Sequence, residues 1–349
     1  MNRVFAAAIL GCLTSTGAMA QTLPLSGSAE CNPPSVAPPQ ANEVLRLDPG
    51  LDAVIAPGVN VETLASGFHA TEGPMWREGR LWISDQCDGQ IYALDKNGAK
   101  SVVAKDTGWT IDPKVTVNQG PNGMVPDRRG VLVMRQGFRD ISRRTDNGRF
   151  SVLLATFEGK RFNSPNDLVY GPDGALYFTD PAFSLPGGTS GPNAELGFEG
   201  VYRYAGGKLT ALVKTLTRPN GIGLSPDGRT LYVSTSTPGP RVIAYDILPD
   251  GSVGPGRDFY VWVLPPGQRG GVDGLKVDSQ GNIWATAAGA VNIVSPQARL
   301  LGRIQVAGHA TSNVAFGGRD MKTVFLTGGP YVYRLQSLVA GQRPLYQRP

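Results

Sequence analysis

The chain has 349 residues, 41% of them hydrophobic and 17% charged, which is enough apolar material for a sizeable core. Its net charge of +5 comes from scattered Lys and Arg, with no basic run and no aromatic–basic interleaving, so nucleic-acid binding has no support. Past the N-terminus no apolar stretch approaches the ~20 residues a membrane-spanning helix needs.

Arg3, an apolar run over residues 4–13 and the small-residue site Ala18-Met19-Ala20 predict a signal peptide over 1–20, and with it a periplasmic or secreted protein. Removal of that segment takes Cys12 and leaves Cys31 and Cys87, which an oxidising compartment would allow to pair. Residues 21–44, rich in Pro, Ser, Ala and Asn, read as an extended arm. A helical turn is expected around 51–54. Residues 59–65 alternate in polarity and predict a strand.

A repeat then begins. Ser164-Pro165-Asn166-Asp167 leads through an apolar run and an Asp173-Gly174 turn to a second run, Leu176-Tyr177-Phe178, a hairpin signal. Arg218-Pro219-Asn220-Gly221 and Gly271-Val272-Asp273-Gly274 open similar units. Weaker copies start at Glu72-Gly73-Pro74, Pro121-Asn122-Gly123 and Ser312-Asn313. The polar residues opening the copies (Glu72, Asn122, Asn166, Asn220, Asp273 and Asn313) are spaced by 50, 44, 54, 53 and 40 residues. A β-rich repeat of that period predicts an all-β fold, a six-bladed β-propeller over 45–337. The 46 Gly and 28 Pro fall at turns, as so many hairpins require.

Four strands are expected per copy; in the third they fall at 168–170, 175–179, 200–204 and 209–214. The sixth copy has only three, and the surplus strand near Val61 is expected to supply the fourth, closing the ring. Longer insertions at 107–119 and 182–199 are expected to shape the mouth of a central pocket. Residues 338–349 read as a polar tail.

In a propeller the innermost strand of each blade lines the channel. The six openers would therefore converge there as two carboxylates and four amides, a hard-oxygen set suited to Ca²⁺ or another hard divalent cation. Asn-Gly and Asp-Gly also make turns with no ion present, but Glu72-Gly73-Pro74 is not a usual turn, and the openers keep one register. Two histidines, His69 and His309, are too few for a His-rich zinc cage. There is no nucleophile elbow and no phosphate loop. Water is therefore the expected nucleophile.

The segments Thr71-Glu72-Gly73-Pro74-Met75-Trp76, Asn163-Ser164-Pro165-Asn166-Asp167, Tyr177-Phe178-Thr179-Asp180-Pro181, Arg218-Pro219-Asn220-Gly221-Ile222 and Asp273-Gly274-Leu275-Lys276-Val277-Asp278 together resemble the gluconolactonase, senescence marker protein and luciferin-regenerating-enzyme-like family, over roughly 45–336. The resemblance implies a six-bladed propeller, one divalent metal in the channel and hydrolysis of sugar lactones. It implies Glu72, Asn166, Asn220 and Asp273 as metal ligands. It leaves Asn122 and Asn313 on the substrate side or behind the ligands. Arg135-Gln136-Gly137 departs from the Gln-His-Gly stretch of many bacterial members, which puts gluconolactone itself in question as substrate.

The leading expectation is metal-assisted lactone opening, with Ca²⁺ first and Zn²⁺, Mn²⁺ or Mg²⁺ as alternatives. Asp273 would be both ligand and base toward water. Arg135 and Arg161 are candidate substrate-binding residues, together with Asn122 and Asn313. One alternative is an aryl ester or organophosphate hydrolase with an apolar pocket built from Trp76, Phe138, Phe183 and Phe198. The other is a non-catalytic periplasmic binding propeller.

Overall fold

A computed structural model describes residues 42–105, 107, 120–264, 271–307 and 309–347. The predicted signal peptide, the arm up to residue 41 and most of the 107–119 insertion lie outside the described residues.

Five runs of four consecutive antiparallel strands follow one another over 71–104, 121–154, 168–213, 219–261 and 272–305, and a sixth sheet is built on 313–336. Each runs from an inner strand outward, and together they form a six-bladed propeller. In the third blade the strands are Leu168–Tyr170, Leu176–Asp180, Gly200–Ala205 and Lys208–Val213. The sixth blade takes its outer strand from Glu62–Ser66, which pairs antiparallel with Tyr331–Gln336. This joins the two ends of the repeat region and leaves no open edge in the ring.

The helical turn expected around 51–54 is a 3₁₀ turn at Pro49–Ala53, capped by Asp48. Two features were not expected. Glu43–Arg46 adds a fifth, outermost strand to the fifth blade by pairing with Leu300–Gln305. A small hairpin, Thr156–Phe157 with Lys160–Arg161, projects between the second and third blades.

The apolar core divides into six clusters, one between each pair of neighbouring blades. For example, Met75 and Ile91 of the first blade meet Met124, Val131 and Val133 of the second. Trp284, fully buried, and Phe316 meet edge to face between the fifth and sixth, where Leu51, Val54 and Ile55 of the N-terminal turn also pack. Alternating apolar residues on each strand face two ways because both faces of a blade are covered by neighbours.

The C-terminal segment is packed against the channel end opposite the openers. Gly341 bridges to Asp278. Gln342 Nε2 donates to Leu224 O (2.8 Å) and Val277 O (3.2 Å), the last residues of two inner strands. Tyr346 stacks edge-on against Tyr170 and receives Arg128 Nε at 3.1 Å. Val339 is buried in the cluster between the fifth and sixth blades. Deleting residues from Leu338 onward is expected to cost on the order of 2–5 kcal/mol of stability, read as a lowered urea midpoint, because a buried apolar anchor and several backbone caps go together. An unchanged midpoint would show that the segment only rests on the surface.

Candidate metal centre

The openers converge because the inner strands are bulged where they begin. In the first, second, fourth and fifth blades the pairing register gains one residue between Glu72 and Met75, Pro121 and Met124, Pro219 and Ile222, and Val272 and Leu275. A bulge re-aims a side chain that a regular strand would direct into the sheet. Each bulge carries glycine after the opener. Gly73 has φ +48°, and a Cβ there would meet Asn122 O at 2.0 Å. A Cβ on Gly274 would meet the Asn313 side chain at 2.1 Å. These glycines let neighbouring inner strands approach closely at the channel.

A belt of hydroxyl–carbonyl bonds ties the openers together. Ser84 Oγ donates to Asn122 O, Thr179 Oγ1 to Asn220 O and Ser234 Oγ to Asp273 O, each at 2.7 Å. Thr286 Oγ1 donates to Ser312 O (3.0 Å), and Ser312 Oγ to Thr71 O (2.8 Å), which carries the belt from the fifth blade through the sixth to the first. The second blade has Met134 at the equivalent place, and there Gly123 N donates to Asn166 O at 2.9 Å instead. Sequence reading missed this belt. Its signal was present: Ser84, Thr179, Ser234, Thr286 and Thr327 stand twelve to fourteen residues after their openers.

All six openers are buried. Glu72 Oε2 accepts from Gly73 N (2.6 Å) and Asn313 Nδ2 (2.9 Å). Burial still pushes its carboxyl up to about 7, against the lowering pull of those two bonds. Burial, and then the charge of Glu72, push Asp273 well above the usual carboxylate range, although the Asn220 side chain bonds to it. Among the described residues neither carboxylate has an ion-pair partner. Asn122 Oδ1 is buried without a hydrogen-bond donor. Two buried carboxylates and an orphaned carbonyl oxygen among the openers of one channel are costly by themselves and fit a hard divalent cation.

The structure does not bring Arg135 and Arg161 into this ring. Arg135 is held by Asp140 through two bonds (2.9 and 2.6 Å), with its guanidinium over Phe138 and Phe150. Arg161 is exposed on the projecting hairpin, where it donates to Phe138 O. Both lie in stretches whose placement depends on turns and pairing that the sequence does not display. Asn313 is committed to Glu72 through Nδ2 and to Val314 N through Oδ1. Of the four aromatics, Trp76 stacks on Phe325, Phe138 lies against Arg135 and Phe198 packs with Phe157 and Tyr202. Phe183 alone lies under Arg218, 4.6 Å from the guanidinium carbon. Arg218, whose charge bears on Asp273, was missed as a site residue. Glu199 holds it by accepting from Arg218 N and Ala182 N (both 2.7 Å), so the 182–199 insertion folds back on the mouth.

A second group, His69, Asp85 and Asp88, brings ligand atoms within 4.8 Å at the rim. Its carboxylates are already engaged: Asp85 accepts from His69 N and Ala70 N, and Asp88 from Gln90 N and Tyr92 Oη. Cys87 between them is disulfide-bonded, and Cys31 lies outside the described residues.

Residues 70–329 match the model of the SMP-30/gluconolactonase/LRE-like region. The chain belongs to that family. It is 32% identical to a gluconolactonase of Zymomonas mobilis across 93% of this chain and 94% of that one. A pentonolactonase of Haloferax volcanii is 26% identical over 73% of this chain and 80% of its own. A solved gluconolactonase from Xanthomonas campestris superposes with a TM-score of 0.72 at 29% identity, covering 88% of this chain and 98% of that one. Within this family fold, the openers stand at one mouth of the channel and the C-terminal segment at the other end.

The raised Glu72 carboxyl makes stability depend on pH. Its folded value of about 7 lies above the ordinary 4.5, so the folded state holds the proton more tightly. In chelator-treated protein that stability is full below 4.5 and lost as pH rises through 7, by roughly 3 kcal/mol at most. Urea unfolding at pH 5 and pH 8 should show this slope, and Glu72→Gln or added Ca²⁺ should flatten it. A slope that survives Glu72→Gln would assign it elsewhere.

Proposed function

We propose that the protein is a divalent-cation-dependent lactonase acting on sugar lactones. The observation that carries this reading is the pair of buried carboxylates, Glu72 and Asp273, which among the described residues have no ion-pair partner, together with the buried, orphaned Asn122 Oδ1 of the same set of openers. The named activities of the family relatives support the lactone as substrate class. Glu72, Asn166, Asn220 and Asp273 would hold the ion, with Ca²⁺ first because all four offer oxygen. When bound, such a cation supplies Lewis-acid stabilisation of the oxygen that gains charge as a lactone carbonyl is attacked.

The residues of the chain do the rest. Asp273 accepts the proton of the attacking water, and the Asn220 side-chain hydrogen bond orients its carboxylate. Asn313 fixes Glu72 and so the side of the ring opposite the third and fourth blades. The Asn122 carbonyl accepts from a substrate hydroxyl or from water. Arg218 and Phe183 form one wall of the mouth, a charged plane over an aromatic face suited to a hydroxyl-rich ring. Only Phe183 of the four aromatics meets a residue at the mouth, which disfavours the aryl ester reading. Export by the 1–20 segment is part of the same proposal and rests on its charged start, apolar run and small-residue site.

A pH-indicator assay on a lactone panel, after chelation and with Ca²⁺, Mg²⁺, Mn²⁺ or Zn²⁺ restored, is expected to show cation-dependent ring opening. Turnover untouched by chelation would overturn the metal requirement, and no turnover on any lactone would overturn the substrate class. Asp273→Asn should lower kcat/KM by ~10²-fold or more with the circular dichroism spectrum preserved. Arg135→Ala should instead lower stability by ~1–3 kcal/mol through the broken ion pair and leave kcat/KM within about twofold. Loss of activity in a stably folded Arg135→Ala would return that residue to the site.

A further inference from the structure

Beneath the ring of openers lies a charge pair that the mechanism does not use. Asp167 follows Asn166 in the third blade, and Lys276 stands three residues after Asp273 in the fifth. Their side chains meet at 3.1 Å (Nζ to Oδ2) across the fourth blade's inner strand, whose Ile222 N donates to the same oxygen at 3.4 Å. Lys276 Nζ also donates to Leu275 O at 3.0 Å. Asp167 is nearly fully buried, its side chain 4% exposed. Both charges act on Glu72, and Asp167 acts on Asp273 as well, so all four groups share one electrostatic neighbourhood. Among the described residues three carboxylates and the Lys276 ammonium share that neighbourhood, and the Arg218 guanidinium, held against Phe183 at the mouth, also acts on Asp273.

We infer that Lys276 is a built-in counter-charge that fits the site to a divalent cation and disfavours trivalent ones, with Asp167 holding it in place. The inference rests on the metal reading proposed above. Without Lys276 the wall would be more negative by one unit charge, a change that favours a trivalent ion over a divalent one. Without Asp167 it would be less negative by one unit charge, and any cation would bind more weakly. The Coulomb energy of a removed unit charge scales with the charge of the ion, so trivalent affinity moves further than divalent affinity. Lys276 is a positioning residue and touches no substrate.

The test is calorimetric binding of Ca²⁺ and of Tb³⁺ to the full chain after chelation, in wild type, Lys276→Met, Asp167→Asn and the double variant. Lys276→Met is expected to tighten Ca²⁺ by about tenfold or more and Tb³⁺ by a larger factor. Asp167→Asn should shift both in the opposite direction, and the double variant should restore the wild-type Tb³⁺-to-Ca²⁺ ratio. A purely structural role would weaken binding in every variant and give no restoration. Should Lys276→Met fail to fold because Asp167 is left unpaired, Asp167→Asn and the double variant carry the same comparison. An unchanged ratio in all variants, with Ca²⁺ bound by wild type, overturns the counter-charge and leaves the metal reading standing. Failure of wild type to bind either ion overturns the metal reading itself.

Discussion

The belt of hydroxyl–carbonyl bonds around the channel is the constraint on which the rest of this protein depends. A propeller blade is a locally closed sheet, and apolar packing between blades is tolerant of small slides. Bonds such as Ser84 Oγ to Asn122 O and Ser234 Oγ to Asp273 O are not. Each fixes the carbonyl of an opener against the second strand of the preceding blade, so the backbone at the channel mouth is set in height and rotation together. Ser84, Thr179 and Ser234 are fully buried. Their hydroxyls have no water to fall back on, which makes each bond costly to lose.

That rigidity is what permits two carboxylates to be buried in one channel. Glu72 and Asp273 would relax apart, or draw in water, on a softer frame. Here the bulges direct them inward, the glycines bring each inner strand close to its neighbour and Asn313 and Asn220 hold their oxygens. Burial raises both carboxyls, with the charge of Glu72 adding to the effect at Asp273. Burial energy is thus stored at the place where a cation would release it, the usual relation between a strained site and a stiff scaffold.

Closure works at two scales. Glu62–Ser66 completes the sixth blade and removes the sheet edge that an open ring would expose. The C-terminal segment does the corresponding work for the channel, with Gln342 capping two inner strands at the end away from the openers. The mouth beside Arg218 and Phe183 is left as the approach to the ring. The insertion that carries Phe183 is tied down by Glu199 and Ser164, so the mouth has a defined wall.

The sequence by itself determined the repeat, and so the blade number, the closing strand and the six openers. These depend on periodicity, turn dipeptides and alternation, which are local properties. It also identified Glu72 and Asp273 as the two acids in register. It did not place Arg135 and Arg161, because a long basic side chain takes whichever partner the fold brings near, and Asp140 and the Phe138 carbonyl were brought near. It did not separate Asn313, which serves Glu72, from Asn122, whose oxygen is orphaned, since both are asparagines in one register. The pairing of Asp167 with Lys276 joins residues more than a hundred positions apart, across the fourth blade, whose Ile222 N donates to the same Asp167 oxygen. Only tertiary structure decides such pairs, because their geometry is fixed by the closing of the ring and not by the chain near either residue.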